Sequence, residues 1–111
     1  MMKYAGLVVF PASDLANEKA FFTALVGAEP YADGDYYVGY RVDDVEVGLD
    51  PNAHQNGPIV YWDTDDIAAS LKQLTSAGAS ERDAARDVGG GMLVATVTDT
   101  SGNVIGLRQK A

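Results

Sequence analysis

The 111-residue chain contains no cysteine, which excludes disulfides, thiolate metal sites and cysteine nucleophiles. It has one histidine, His54, in the Pro/Asn-rich stretch PNAHQNGP. Neither a multi-histidine zinc site nor a Ser-His-Asp triad can be assembled around it. Positive charge is scarce: 8 Lys and Arg stand against 16 Asp and Glu, for a formal net charge of −8. Nucleic-acid and anionic-membrane surfaces need clustered basic residues, so both partners are excluded, and neutral or cationic ligands are favoured. No apolar run is long enough to span a bilayer. The short run after Met1-Met2-Lys3 is broken by Pro11 and Asp14, unlike an export signal, so a cytoplasmic protein is expected. Gly89-Gly90-Gly91 is followed by neither Lys nor Ser/Thr and leads into a strand. It is therefore no phosphate loop and reads as a flexible rim loop, a candidate lid.

What the chain does contain is a repeat. Leu7–Phe10 is an apolar strand followed by Asp14-Leu15-Ala16, and Val60–Trp62 is another followed by Asp66-Ile67-Ala68. An Asp (or Ser13 in the first copy) can cap a helix in each. Leu15, Phe21, Phe22, Leu25 and Val26 form one apolar stripe, and Ile67, Leu71 and Leu74 the other. Gly27 and Gly78 stand where left-handed caps belong. Two strands then follow in each half, with an extra strand expected near Glu29–Ala32 and Ala79–Arg82. Val45-Glu46-Val47-Gly48-Leu49 lies over Asn103-Val104-Ile105-Gly106-Leu107, so a glycine recurs at one place in both final strands. The reading is an α+β chain of a single domain. It comprises a first βαβββ module over about 1–50, a linker over 51–58 and a second module over about 59–111.

Strand alternation sorts the faces. A two-residue turn at Asp43-Asp44 pairs Val42 with Val45. Val38, Tyr40, Val42, Val45, Val47 and Leu49 then share a face that packs beneath helices, and Tyr37, Gly39, Arg41, Glu46, Gly48 and Asp50 share the other. The same phase groups Ile59, Tyr61 and Asp63 with Val104, Gly106 and Arg108, and puts Trp62 in the core. Arg41 beside Glu46 reads either as a cross-strand ion pair or as a ligand clamp. Glu46, Asp50 and Asp63 could supply oxygens to a hard cation.

The residues Asp65-Asp66-Ile67, Leu74 with Ala77-Gly78-Ala79, and Asp99 through Leu107, set in two βαβββ modules, resemble the vicinal oxygen chelate superfamily. That superfamily includes glyoxalase I, extradiol dioxygenases and the bleomycin-resistance proteins. The resemblance implies a curved, cup-shaped mixed sheet with helices outside. It also implies four metal-ligand positions, in the first and last strands of each module. Carried over, these fall near Ala5 and on Gly48, Ile59 and Gly106. None can bind a metal, so no metal or other cofactor is expected, and no catalytic residue is assigned. The implied function is a metal-free homodimer that sequesters a small ligand, cationic or aromatic, as in antibiotic resistance. Its binding residues would be Tyr37, Arg41, Glu46, Gly48, Asp50, Tyr61, Gly106 and Arg108. The alternative is an enzyme: a glyoxalase-like lyase or isomerase, or a dioxygenase-like metalloenzyme with relocated ligands, using Glu46, Asp50 or Tyr37 in acid-base roles. In the binding reading the two glycines keep a cavity floor open, and Gly106→Glu would close it at a folding cost of about 1 kcal/mol or less.

Overall fold

Asp14 and Asp66 fix where the two helices begin. In the computed structural model, which describes residues 2–53 and 57–111, the Asp14 carboxylate accepts the Asn17 amide at 3.2 Å and Asp66 accepts that of Ala69 at 3.1 Å. Each bond satisfies an amide that the first helical turn leaves without a partner. The helices so opened are α1 (Leu15–Val26) and α2 (Ile67–Ser76). α1 ends on Gly27 at φ 78°. α2 ends on Ala77, and the left-handed residue is the next one, Gly78, at φ 113°. Glycine adopts that conformation without steric cost.

Packing divides the chain into two units: Gly6–Ile59, and Val60–Ala111 with the N-terminal end of the first strand as far as Ala5. The first module carries β1 (Met2–Pro11), β2 (Ala32–Asp33), β3 (Val38–Val42) and β4 (Val45–Asp50). Its strand order is β2-β3-β4-β1, with β4 antiparallel to β3 and parallel to β1. The second module has β5 (Ile59–Thr64), β6 (Ser80–Asp87), β7 (Leu93–Thr98) and β8 (Val104–Gln109). Its order is β5-β8-β7-β6, with β5 parallel to β8 and antiparallel pairing beyond. The fold is therefore α+β, with βαβββ topology in each half. The extra strands differ from expectation in length: β2 has only 2 residues, whereas β6 has 8 and runs to Asp87.

The hairpin register agrees with alternation: Val42 faces Val45, Arg41 faces Glu46 and Gly39 faces Gly48. Asp43 takes φ 55° in the turn, a left-handed conformation that Asp tolerates better than most residues. Val38, Tyr40 and Leu49 are buried against Phe22 and Ala12, with Phe10, Leu15, Val26 and Val47 around them. The Tyr40 hydroxyl donates to the Lys19 carbonyl at 3.0 Å and lies 2.8 Å from Thr23 Oγ1, so the one polar atom in that core is satisfied. The second core is Ile67, Leu71, Ala95, Val97 and Leu107.

One sequence reading needs correction here. Trp62 shares the face of buried Leu107, yet it is 38% exposed. α2 packs over β6, β7 and β8, so the β5 end of that face is left uncovered. Alternation identifies the face of a residue but not the reach of the helix above it. The glycine triplet forms a turn. Gly89, Gly90 and Gly91 take φ of 121°, 64° and 84°, and Val88 N–H donates to Met92 O while Met92 N–H donates to Gly89 O. These residues form the hydrogen-bonded tip of the β6–β7 hairpin. His54 lies outside the described residues.

The turn before β8 is organised by Asp99, whose carboxylate accepts the Ser101 and Asn103 amides and the Asn103 side-chain N–H at 2.8–2.9 Å. Donation from the Asn103 side chain, followed by the backbone donors, holds its carboxyl below the ordinary Asp value. A carboxyl lowered on folding stabilises the fold at pH above its ordinary value, and that contribution is lost as pH falls through the lowered one. An NMR titration should find Asp99 ionising at lower pH than in an unfolded peptide, and Asn103→Ala should move it back upward.

Candidate functional site

In the first module, residues 31–50 build a polar face around two glycines. Gly39 and Gly48 oppose each other on β3 and β4, and each lies beneath a tyrosine ring. The Tyr31 ring lies over Gly39, where an added Cβ would meet its outer atoms at 3.1 Å. The Tyr37 ring lies over Gly48, where an added Cβ would lie 2.7 Å from Cζ. Aromatic cover of this kind restores the packing that a strand glycine lacks. The Arg41 guanidinium stands 4.2 Å from the Tyr31 ring centre, a cation–π distance. The Tyr31 hydroxyl donates to Glu46 Oε1 at 2.5 Å. Tyr31 thus links the two residues that the sequence reads either as an ion pair or as a ligand clamp. Asp50 turns its Oδ1 to the Asn52 amide at 2.8 Å, which fixes the chain as it leaves β4.

In the second module, Tyr61 opposes Gly106 and Asp63 opposes Arg108 in the parallel β5–β8 register. The Tyr61 ring lies on Gly106 so closely that an added Cβ would sit 2.6 Å from its Cγ. The space above the glycine is therefore filled by tyrosine, not left open as a floor, and the same holds at Gly48. Arg108 makes a two-pronged pair with Asp63, Nε to Oδ1 at 2.7 Å and Nη2 to Oδ2 at 3.0 Å, and both side chains are almost fully buried. Two bonds in one plane are the strongest arrangement open to these groups. Thr96, opposite Gly106, donates to Asp83 at 2.5 Å. A polar cavity of about 130 Å³ lies at the C-terminal ends of β5 and β8, lined by Tyr4, Asp63, Thr64, Asp65, Gln109 and Lys110. Gln109 Oε1 there accepts the first amide of α2, that of Ile67, at 2.8 Å.

The register also corrects one of the four positions. Val9 faces Gly48 as Tyr61 faces Gly106, so the mate of Ile59 is Leu7, two residues before Val9, and not Ala5. β1 runs unbroken through Pro11. Leu7, Gly48, Ile59 and Gly106 offer no oxygen, nitrogen or sulfur donor in their side chains, so this donor set does not fit a divalent ion. Among the described residues, no group of three or more His, Asp or Glu is placed to hold a metal, and this includes Glu46, Asp50 and Asp63. Of the eight residues expected at a site, Tyr37, Arg41, Glu46, Gly48 and Asp50 come together in the first module. Tyr61, Gly106 and Arg108 do so in the second. Tyr31, Asp63 and Thr96 belong with these groups as well. Asp63 is readable from strand phase, but Tyr31 stands just before the two-residue β2 and leaves no periodic signal.

Residues 5–107 match the family model described as Glyoxalase/Bleomycin resistance protein/Dioxygenase superfamily. No curated protein matches the chain. Solved structures share the fold at low identity. A variant methylmalonyl-CoA epimerase from Streptomyces coelicolor, in complex with 2-nitronate-propionyl-CoA, has TM-score 0.78 and 14% identity over 100% of this chain and 96% of that one. A superfamily member from Vibrio splendidus has TM-score 0.71 and 17% identity over 94% and 97%. A hypothetical protein from Bacillus halodurans has TM-score 0.78 and 9% identity over 96% and 94%.

Proposed function

We propose that this chain, which belongs to the Glyoxalase/Bleomycin resistance protein/Dioxygenase superfamily, binds a small planar ligand without a metal, in the manner of the bleomycin-resistance proteins. One observation carries the reading: the four positions that would hold a metal bear Leu7, Gly48, Ile59 and Gly106, and tyrosine rings cover both glycines. What remains on these faces is suited to stacking and charge recognition. Tyr31 and Tyr37 offer aromatic surface, and Glu46 and Asp50 offer negative charge on a chain that is acidic throughout. Arg108 is closed against Asp63, so it fixes the β5–β8 wall and leaves ligand contact to Tyr37, Arg41 and Glu46. The ligand class is a planar aromatic, neutral or cationic.

The test combines elemental analysis of untagged protein with fluorescence titration of acridine-type planar cations. Less than stoichiometric metal is expected, and chelator should leave the melting temperature unchanged. Tyr37→Ala and Glu46→Gln should each weaken binding of the best acridine by tenfold or more, about 1.4 kcal/mol. A full equivalent of tightly held metal would overturn the reading, as would affinities that neither substitution changes.

A further inference from the structure

β6 ends the strand order of its module, and all 8 of its residues are exposed. One side of the strand is hydrogen-bonded to β7, which leaves the backbone of the other side open for pairing. Exposed edges are usually blocked by charges and bulges, and β6 has both. Its charges, however, have a particular order. Residues 82–87 read Arg-Asp-Ala-Ala-Arg-Asp, a sequence that is charge-complementary to itself when reversed. In an antiparallel pair of two such strands, Arg82 stands opposite the second copy's Asp87, Asp83 opposite its Arg86, and Ala84 opposite its Ala85.

From this we infer that β6 is a self-recognition edge that joins two copies of this chain through an antiparallel β6–β6 pair. The charge pattern selects one register. A shift of one residue puts Arg82 opposite Arg86 and Glu81 opposite Asp87; the opposite shift sets Asp83 against Asp87. Directly opposed like charges destabilise a sheet and opposite charges stabilise it. The bulges assist the match. Asp83 pairs with Thr96 and Arg86 with Val94, and since Thr96 and Val94 are two residues apart on β7, Asp83 and Arg86 share a face although they are three apart. They therefore meet their counterparts on that same face. Small Ala84 and Ala85 at the centre leave the backbones free to close. Among the described residues Arg86 makes no ion pair, so its guanidinium is available. Residues 82–87 are also locally neutral, two Arg against two Asp, on a chain of net charge −8, which reduces the repulsion between copies at this edge.

Sedimentation velocity on the full chain tests this. The parent should self-associate at micromolar concentration, less tightly as salt rises. Arg86→Asp should weaken association by tenfold or more, and the double variant Asp83→Arg/Arg86→Asp should restore it, with circular dichroism confirming that both variants stay folded. Because Asp83 also accepts Thr96, Arg82→Asp with Asp87→Arg supplies a second swap, which leaves that bond in place and instead removes the Arg82–Asp83 pair and the Asp87–Gly89 bond. A parent that is monomeric up to about 100 μM, or a dimer that Arg86→Asp leaves intact, would overturn the inference. So would a dimer lost on Phe21→Lys, in the exposed Phe21–Leu25 face of α1, but kept in Arg86→Asp.

Discussion

Gly106→Ala is expected to destabilise the chain by roughly 1–3 kcal/mol, the usual cost of forcing extra carbon into a packed site. Gly106→Glu should cost no less. The cause is steric, since Gly106 has no left-handed backbone to protect. A Cβ there would meet the root of the Tyr61 ring, 2.6 Å from Cγ, and a ring root cannot swing aside without changing rotamer. At Gly48 the nearest atoms belong to the phenol end of Tyr37, which can rotate away, so Gly48→Ala should cost distinctly less. Urea unfolding of Gly106→Ala, Tyr61→Ala and the double variant forms a cycle that isolates the clash. The double variant should lose less stability than the sum of the two single changes. If Gly106→Ala is as stable as the parent, the ring does not depend on the glycine. The expectation from sequence alone, that Gly106→Glu would be nearly free, treated the site as open and is revised accordingly.

Asp63→Ala should be the most damaging single change, at about 3–5 kcal/mol, because it strands a buried guanidinium. Both partners are nearly inaccessible to water, at 2% and 7% side-chain exposure, and so screening by solvent is slight. Replacing both residues by apolar ones of similar size, Asp63→Leu with Arg108→Met, should cost much less than Asp63→Ala, since a buried pair contributes little net stability once both charges are gone. Equilibrium unfolding of the three chains measures this. A double variant as unstable as Asp63→Ala would mean that the pair contributes far more than its removal as a unit implies.

The parts of this fold that follow local rules could be read in advance. The caps at Asp14 and Asp66, the register through Asp43-Asp44 and the faces of β3, β4, β5 and β8 all depend on short-range periodicity or turn chemistry. Those periods are fixed by backbone geometry. The misreadings have a different origin. Trp62 lies on the expected face, but its burial depends on how far α2 extends. The position expected near Ala5 falls on Leu7, because β1 continues through Pro11 and its register on β4 is set by pairing rather than by sequence spacing. The tyrosine cover over Gly48 and Gly106 is a relation between a ring and a glycine that strand pairing brings together. Such a relation leaves no spacing in the sequence, although both tyrosines were assigned to the correct face.

The tyrosine cover has a further consequence for how this scaffold can change. A carboxylate at position 106 has no room while Tyr61 is present, and loss of Tyr61 alone leaves a bare glycine under an empty space. Either step taken singly should lower stability, and the pair taken together should cost less than the two apart. The same dependence holds more loosely at Gly48 and Tyr37. Giving these positions metal-binding side chains would require oxygen or nitrogen donors at Leu7, Gly48, Ile59 and Gly106 alike. These four positions are thus several substitutions away from a metal-binding set, and a laboratory selection for metal binding at them should first enrich small residues at 37 and 61.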